Sequence, residues 1–120
     1  MSSADPPPLS VVLCSGSDCA TDERKAYVAL SRRLEAADVS ATCSPCLGVC
    51  HGPVVVVSDD RHRAVVIEKL RSKSRHKRLI AAVASGRLSK VASAAPEVHK
   101  PKRRTRALRR AGRLLNRELV

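Results

Sequence analysis

The period of the apolar positions changes several times along the 120 residues. Ser10–Cys14 (SVVLC) is a short run rich in β-branched residues, and it reads as a buried strand ending on a cysteine. Ser15-Gly16-Ser17-Asp18 then carries turn chemistry. Tyr27, Leu30, Leu34 and Ala37 recur at i, i+3, i+7 and i+10, which predicts one apolar face of a helix over about 22–37, capped by Thr21. Val39–Cys43 alternates like a short strand, whereas 44–53 (SPCLGVCHGP) holds two Gly and two Pro and cannot be regular. The valine run Val54–Val57 has the pattern of a strand buried on both faces. Ser58–Arg63 is a polar turn, and Ala64–Leu70 is the return arm of a hairpin. Ser74–Ser85 predicts a helix buried through Leu79, Ile80 and Val83 and stopped by Gly86. Past that point the pattern weakens. Leu88–Glu97 is rich in Ala and Ser and reads as a linker or a frayed helix. The basic tail from Lys100 reads either as a disordered, solvated segment or as a helix over Ala107–Leu119, with Leu108, Ala111, Leu115 and Leu119 sharing one face.

The order β–α–β–loop–β–β–α implies a right-handed crossover between two parallel strands, followed by an antiparallel hairpin that widens the sheet. The expected fold class is α/β: a thioredoxin-like sandwich of about four strands in a mixed sheet, two flanking helices and a basic C-terminal extension. The expected organisation is a disordered arm at 1–9, the domain at 10–86, a linker at 87–99 and a basic tail at 100–120. Hydrophobic residues make up 43% of the chain, but 16 are Ala and 15 are Val, with no Trp or Phe and one Tyr. Small side chains bury little area each, so a core this light calls for a staple such as a metal, a cofactor or a partner.

Charge divides the chain in two. Residues 1–60 carry 4 Lys and Arg against 8 Asp and Glu, while residues 61–120 carry 19 against 3. All five cysteines lie in the acidic half. No apolar run reaches the roughly 20 residues that span a bilayer. The opening MSSADPPPLS has neither the basic start nor the apolar stretch of a secretory leader, which sets the expectation of a cytoplasmic protein with reduced thiols. The odd number of cysteines also speaks against a closed disulfide framework.

Cys14 and Cys19 follow the first strand, and Cys46 and Cys50 occupy the irregular loop before the third. In a sheet of this kind both loops leave the same end, so four thiolates converge, as a soft Fe or Zn ion requires. Gly16, Gly48 and Gly52 allow the tight bends. The run Val11-Val12-Leu13-Cys14-x4-Cys19, then a helix, then Cys46-Leu47-Gly48-Val49-Cys50-His51-Gly52-Pro53 entering Val54–Val57, resembles the thioredoxin-like [2Fe–2S] ferredoxins. The same fold forms the small ferredoxin subunit of NADH dehydrogenases and related hydrogenases. The resemblance covers about residues 10–85, and its most specific part is the Cys-Leu-Gly-x-Cys-x-x-Gly-Pro loop. It implies a [2Fe–2S] cluster on Cys14, Cys19, Cys46 and Cys50, with a low reduction potential because all four ligands are thiolates. Cys43 and the basic tail depart from the shared pattern.

The remaining residues support no hydrolytic or transferase site. Cys43 is expected as a spare, partly buried thiol, His51 as a loop residue, and Tyr27 as core. His62, His76 and His99 fall in basic stretches expected to be exposed. The function expected is therefore that of an electron carrier without an active site of its own, passing single electrons to or from a larger oxidoreductase. That redox partner would dock through the acidic half or the basic tail. The alternative is a metal- or cluster-stabilised protein that binds nucleic acid or senses redox state through its basic half. With no aromatic residues between the arginines, such binding would be directed at phosphates. Nucleic acid ranks second to a redox protein, and the sequence leaves the oligomeric state open, a dimer included.

Overall fold

The structure, a computed structural model, describes residues 9–14, 24–39, 41–44, 53–59, 61–116 and 118–119. Four strands form one mixed sheet: β1 (Ser10–Cys14), β2 (Ala41–Ser44), β3 (Val55–Ser58) and β4 (Ala64–Ile67). Their order is β2-β1-β3-β4, with β1 parallel to β2 and antiparallel to β3, and β3 antiparallel to β4. Among the described residues four helices accompany them: α1 (Arg24–Ala36), α2 (Lys73–Ser85), α3 (Leu88–Ala92) and α4 (Pro101–Leu115). The protein is thus α/β with a four-stranded mixed sheet.

Because side chains alternate along a strand, the sheet feeds two cores. Val11, Leu13, Val55, Val57, Val65 and Ile67 pack on one face with Leu30 and Leu34 of α1, Leu79 and Ala82 of α2, and Val91 of α3. Val12, Val54, Val56, Ala64 and Val66 pack on the other with Ala107, Leu108 and Ala111 of α4. The valine run therefore serves both faces, as its sequence predicts. Gly86 ends α2 in the left-handed region at φ 72°, donating its N–H to the Val83 carbonyl. Ser72, rather than Ser74, sits at the other end, where its hydroxyl accepts from the Arg75 N–H.

The structure departs from the sequence reading at several points. Of the two readings of the 87–99 stretch, a linker or a frayed helix, the structure has the helix. The stretch forms α3, buries Val91, Ala94, Ala95 and Val98, and then runs antiparallel along β4. There the Glu68 N–H donates to Pro96 O at 2.9 Å and the Val98 N–H to Val66 O at 2.8 Å, with Ile67 opposite Glu97. This segment covers the backbone edge that β4 would otherwise leave open. The basic tail is not an appendage either, for α4 packs on the second core as a third layer. Its start also differs: the helix begins at Pro101, six residues before the expected Ala107, because proline is favoured at the first helical position. It ends on Asn116 at φ 55°, after which Leu119 returns to the core. Finally, Leu9, assigned to the disordered arm, packs partly buried against the first core.

Candidate functional site

The parallel pairing of β1 with β2 brings their C-terminal ends to one edge of the sheet. Cys14, the last residue of β1, stands opposite Ser44, the last residue of β2. Ser44 precedes Cys46 by two residues in the sequence. The antiparallel β3 starts at this same edge, since its Val55 stands opposite Leu13. Both cysteine-bearing segments, 15–23 and 45–52, thus depart from or return to one edge. Cys19, Cys46, Cys50 and His51 themselves lie outside the described residues.

That edge is fixed from the side of α2. Pro53, the first described residue after the cysteine segment, accepts a hydrogen bond from the Leu70 N–H at 3.2 Å. The Leu70 carbonyl accepts in turn from His76 Nε2 at 2.6 Å. His76 Nδ1 lies 2.6 Å from an Arg33 guanidinium nitrogen. Since a guanidinium can only donate, Nδ1 accepts and the proton sits on Nε2. Arg33 belongs to α1, so one chain of hydrogen bonds joins α1, α2, the turn after β4 and the return from the cysteine segment. The turn itself carries backbone strain at Lys69, with φ 59°, and is held by Arg75 Nη1 donating to the Lys69 carbonyl at 2.7 Å.

His76 corrects a sequence expectation. It is 0% exposed, although it sits in the basic run Lys73–Arg78. Burial lowers its pKa first. The Leu70 carbonyl opposes that shift, and the Arg33 charge adds to it. A neutral imidazole therefore acts here as a structural connector. The signal available in the sequence was spacing: His76, Leu79 and Ala82 recur at i, i+3 and i+6, and these are the buried positions of α2.

The other singled-out residues lie apart. Cys43 is a free thiol and is exposed on the edge strand β2, not partly buried. Its Sγ is 3.8 Å from the Tyr27 hydroxyl. Tyr27 packs partly buried against the first core, and Cys43 lines a hollow of about 420 Å³ between α1 and β2 with Leu34, Val39 and Ala41. His62 is exposed in the β3–β4 turn, with Nδ1 3.1 Å from the Glu118 carbonyl, and His99 is exposed beyond α3. Among the described residues, no three His, Cys, Asp or Glu side chains form a group able to hold a metal ion. Among the described residues, two buried side-chain oxygens have no hydrogen-bond partner: Ser58 Oγ and Glu68 Oε2. Ser58 ends β3 beside the hairpin turn. Glu68 follows β4 at the edge where the cysteine segments meet the sheet.

The outer face of α4 is a second charged feature. Lys102, Arg106, Arg109 and Arg113 are exposed at i, i+4, i+7 and i+11, and the helix contains no acidic residue. Each like-charged pair one turn apart costs about 0.2–0.5 kcal/mol, and cations in the first turn also oppose the helix dipole. This helix is therefore charged against its own stability. Packing on the sheet through Ala107, Leu108 and Ala111 offsets that cost.

No known protein family, curated protein or solved structure matches the chain. Among the described residues, no helix is long and apolar enough to cross a membrane.

Proposed function

We propose that this protein is a thioredoxin-like [2Fe–2S] ferredoxin, a cytoplasmic electron carrier serving a larger oxidoreductase. Cys14, Cys19, Cys46 and Cys50 would hold the cluster. The observation that carries the reading is the strand register: β1 and the parallel β2 end together at Cys14 and Ser44, and β3 starts at the same edge. Cys14 ends β1 at this edge, the segment that carries Cys19 leaves from it, and the segment that carries Cys46 and Cys50 joins the end of β2 to the start of β3 there. Four thiolates are the donor set that a [2Fe–2S] cluster takes. The β2-β1-β3-β4 order with a parallel first pair and an antiparallel hairpin also agrees with the thioredoxin-like arrangement.

When bound, the cluster supplies one-electron chemistry. The chain's own contribution is position and dryness. The Pro53–Leu70–His76–Arg33 connection fixes where the second cysteine segment rejoins the sheet. Val12 and Val54, both 0% exposed, keep water out beneath that edge. An electron carrier needs no general acid, base or nucleophile of its own.

The test is spectroscopic and analytical. Protein purified without oxygen should be brown, contain iron and acid-labile sulfide in equal amounts, and give a spin-half EPR signal only after dithionite. Cys46→Ser or Cys50→Ser should strip or alter the visible absorbance. A colourless protein holding zinc, or an unchanged spectrum in both variants, would overturn the assignment.

A further inference from the structure

We propose that the exposed Lys102–Arg113 face of α4 binds the phosphate backbone of double-stranded nucleic acid without reading its sequence. The inference is independent of the cluster. It rests on which side of α4 is occupied and what remains on the other.

As a free amphipathic helix, α4 could have laid its apolar side on a membrane surface. The fold removes that use, because Ala107, Leu108 and Ala111 are buried against the sheet. What faces outward is the stripe Lys102, Arg106, Arg109 and Arg113, which spans roughly 16 Å at about 1.5 Å per residue. Lys102, Arg106, Arg109 and Arg113 also line a concavity of about 590 Å³ with Thr105. Thr105 adds a hydroxyl donor, and arginine forks match phosphate oxygens in pairs.

An acidic protein fits this face less well. Protein interfaces draw their energy from buried aromatic and aliphatic anchors. The chain has no Trp or Phe, and its one tyrosine, Tyr27, packs on the opposite face of the sheet. Leu114 is the exposed large hydrophobic residue among those described. A duplex needs no such anchor. It presents about one charge per 1.7 Å of axis, so a 16 Å stripe meets enough phosphates to engage all four cations. The absence of aromatic rings near the stripe argues against single strands, which are bound by stacking.

The experiment is fluorescence anisotropy of the full-length chain with a labelled 20-base-pair duplex of random sequence, titrated across salt. Four released counterions give a log–log slope of about −3.6, so the affinity should fall roughly 150-fold between 50 and 200 mM salt. Lys102→Gln, Arg106→Gln, Arg109→Gln and Arg113→Gln combined should abolish this binding. Glutamine keeps the helix, and circular dichroism confirms it. The matched control removes four exposed charges from the other face through Lys73→Gln, Lys77→Gln, Arg78→Gln and Lys90→Gln. It should retain most of the affinity. Equal loss in both variants would reduce the effect to net charge and overturn the assigned face. No binding at 50 mM salt would overturn the proposal outright. Displacement of the duplex by polyglutamate at equal charge concentration would do so too, in favour of an acidic protein.

Discussion

Replacing His76 with alanine isolates the connector between the helices and the cysteine segment. The substitution removes two hydrogen bonds, to the Leu70 carbonyl and to the Arg33 guanidinium, and hollows a site that is 0% exposed. A net hydrogen bond contributes about 1 kcal/mol, and one to a charged group about 1.5–3. Their sum is about 3 kcal/mol before any cavity cost, a large share of the 5–15 kcal/mol that holds a domain together. With a urea slope of roughly 1.5 kcal/mol/M, the midpoint should drop by about 2 M. The assay is urea unfolding followed by far-ultraviolet circular dichroism at pH 7.5. His99→Ala serves as the exposed control and should leave the midpoint unchanged. A His76→Ala midpoint within 0.2 M, on the order of the method's error, of that control would refute the reasoning, because it would mean the imidazole bridges nothing.

Further outcomes follow from the same structure. The depressed His76 pKa means that, on acidification, the unfolded chain takes up a proton near pH 6.5 before the native one does. Stability should therefore fall as pH drops below 6.5 and level off below the native pKa. The slope from this group approaches 1.36 kcal/mol per pH unit and should disappear in His76→Ala, as urea midpoints between pH 5 and 8 would reveal. Cys43→Ser should remove one thiol that reacts with dithionitrobenzoate in the folded protein and leave the visible spectrum of the cluster-loaded protein intact. A lost spectrum would place Cys43 among the ligands. Deleting residues 100–120 should unfold the domain, since it uncovers Val12, Val54, Val56 and Val66 at about 1.5 kcal/mol or more each. A cooperative melt like that of the full chain would show α4 to be dispensable.

Where residues were large and repeated with a clear period, the fold could be read from the chain. Ser10–Cys14, the Val54–Val57 run and the helix through Leu30 and Leu34 all appear where the pattern puts them. The pattern failed where burial depends on small residues or distant partners. Ala94 and Ala95 carry little hydrophobic signal and Val98 stands alone between Glu97 and His99, yet all three are buried where this segment pairs with the open side of β4. His76 looked exposed within Lys73–Arg78 because its partner, Arg33, is 43 residues away. In α4 the shared face of Leu108, Ala111, Leu115 and Leu119 was legible, but its packing partner, the sheet face of Val12, Val54, Val56 and Val66, was not. For the candidate site, the spacing of Cys14, Cys19, Cys46 and Cys50 was visible in the chain. The common sheet edge was expected from the parallel first pair of strands, and the register of β1, β2 and β3 supplies the residues that form it.

The Tyr27–Cys43 contact has an optical consequence. With no Trp or Phe in the chain, Tyr27 is the sole source of its intrinsic fluorescence. Its hydroxyl lies 3.8 Å from the Cys43 sulfur, at the seam between α1 and β2. Emission from the unlabelled protein therefore reports on a single place, and oxidation or alkylation of Cys43 can be followed there in real time. Few domains come with a built-in reporter whose signal needs no deconvolution.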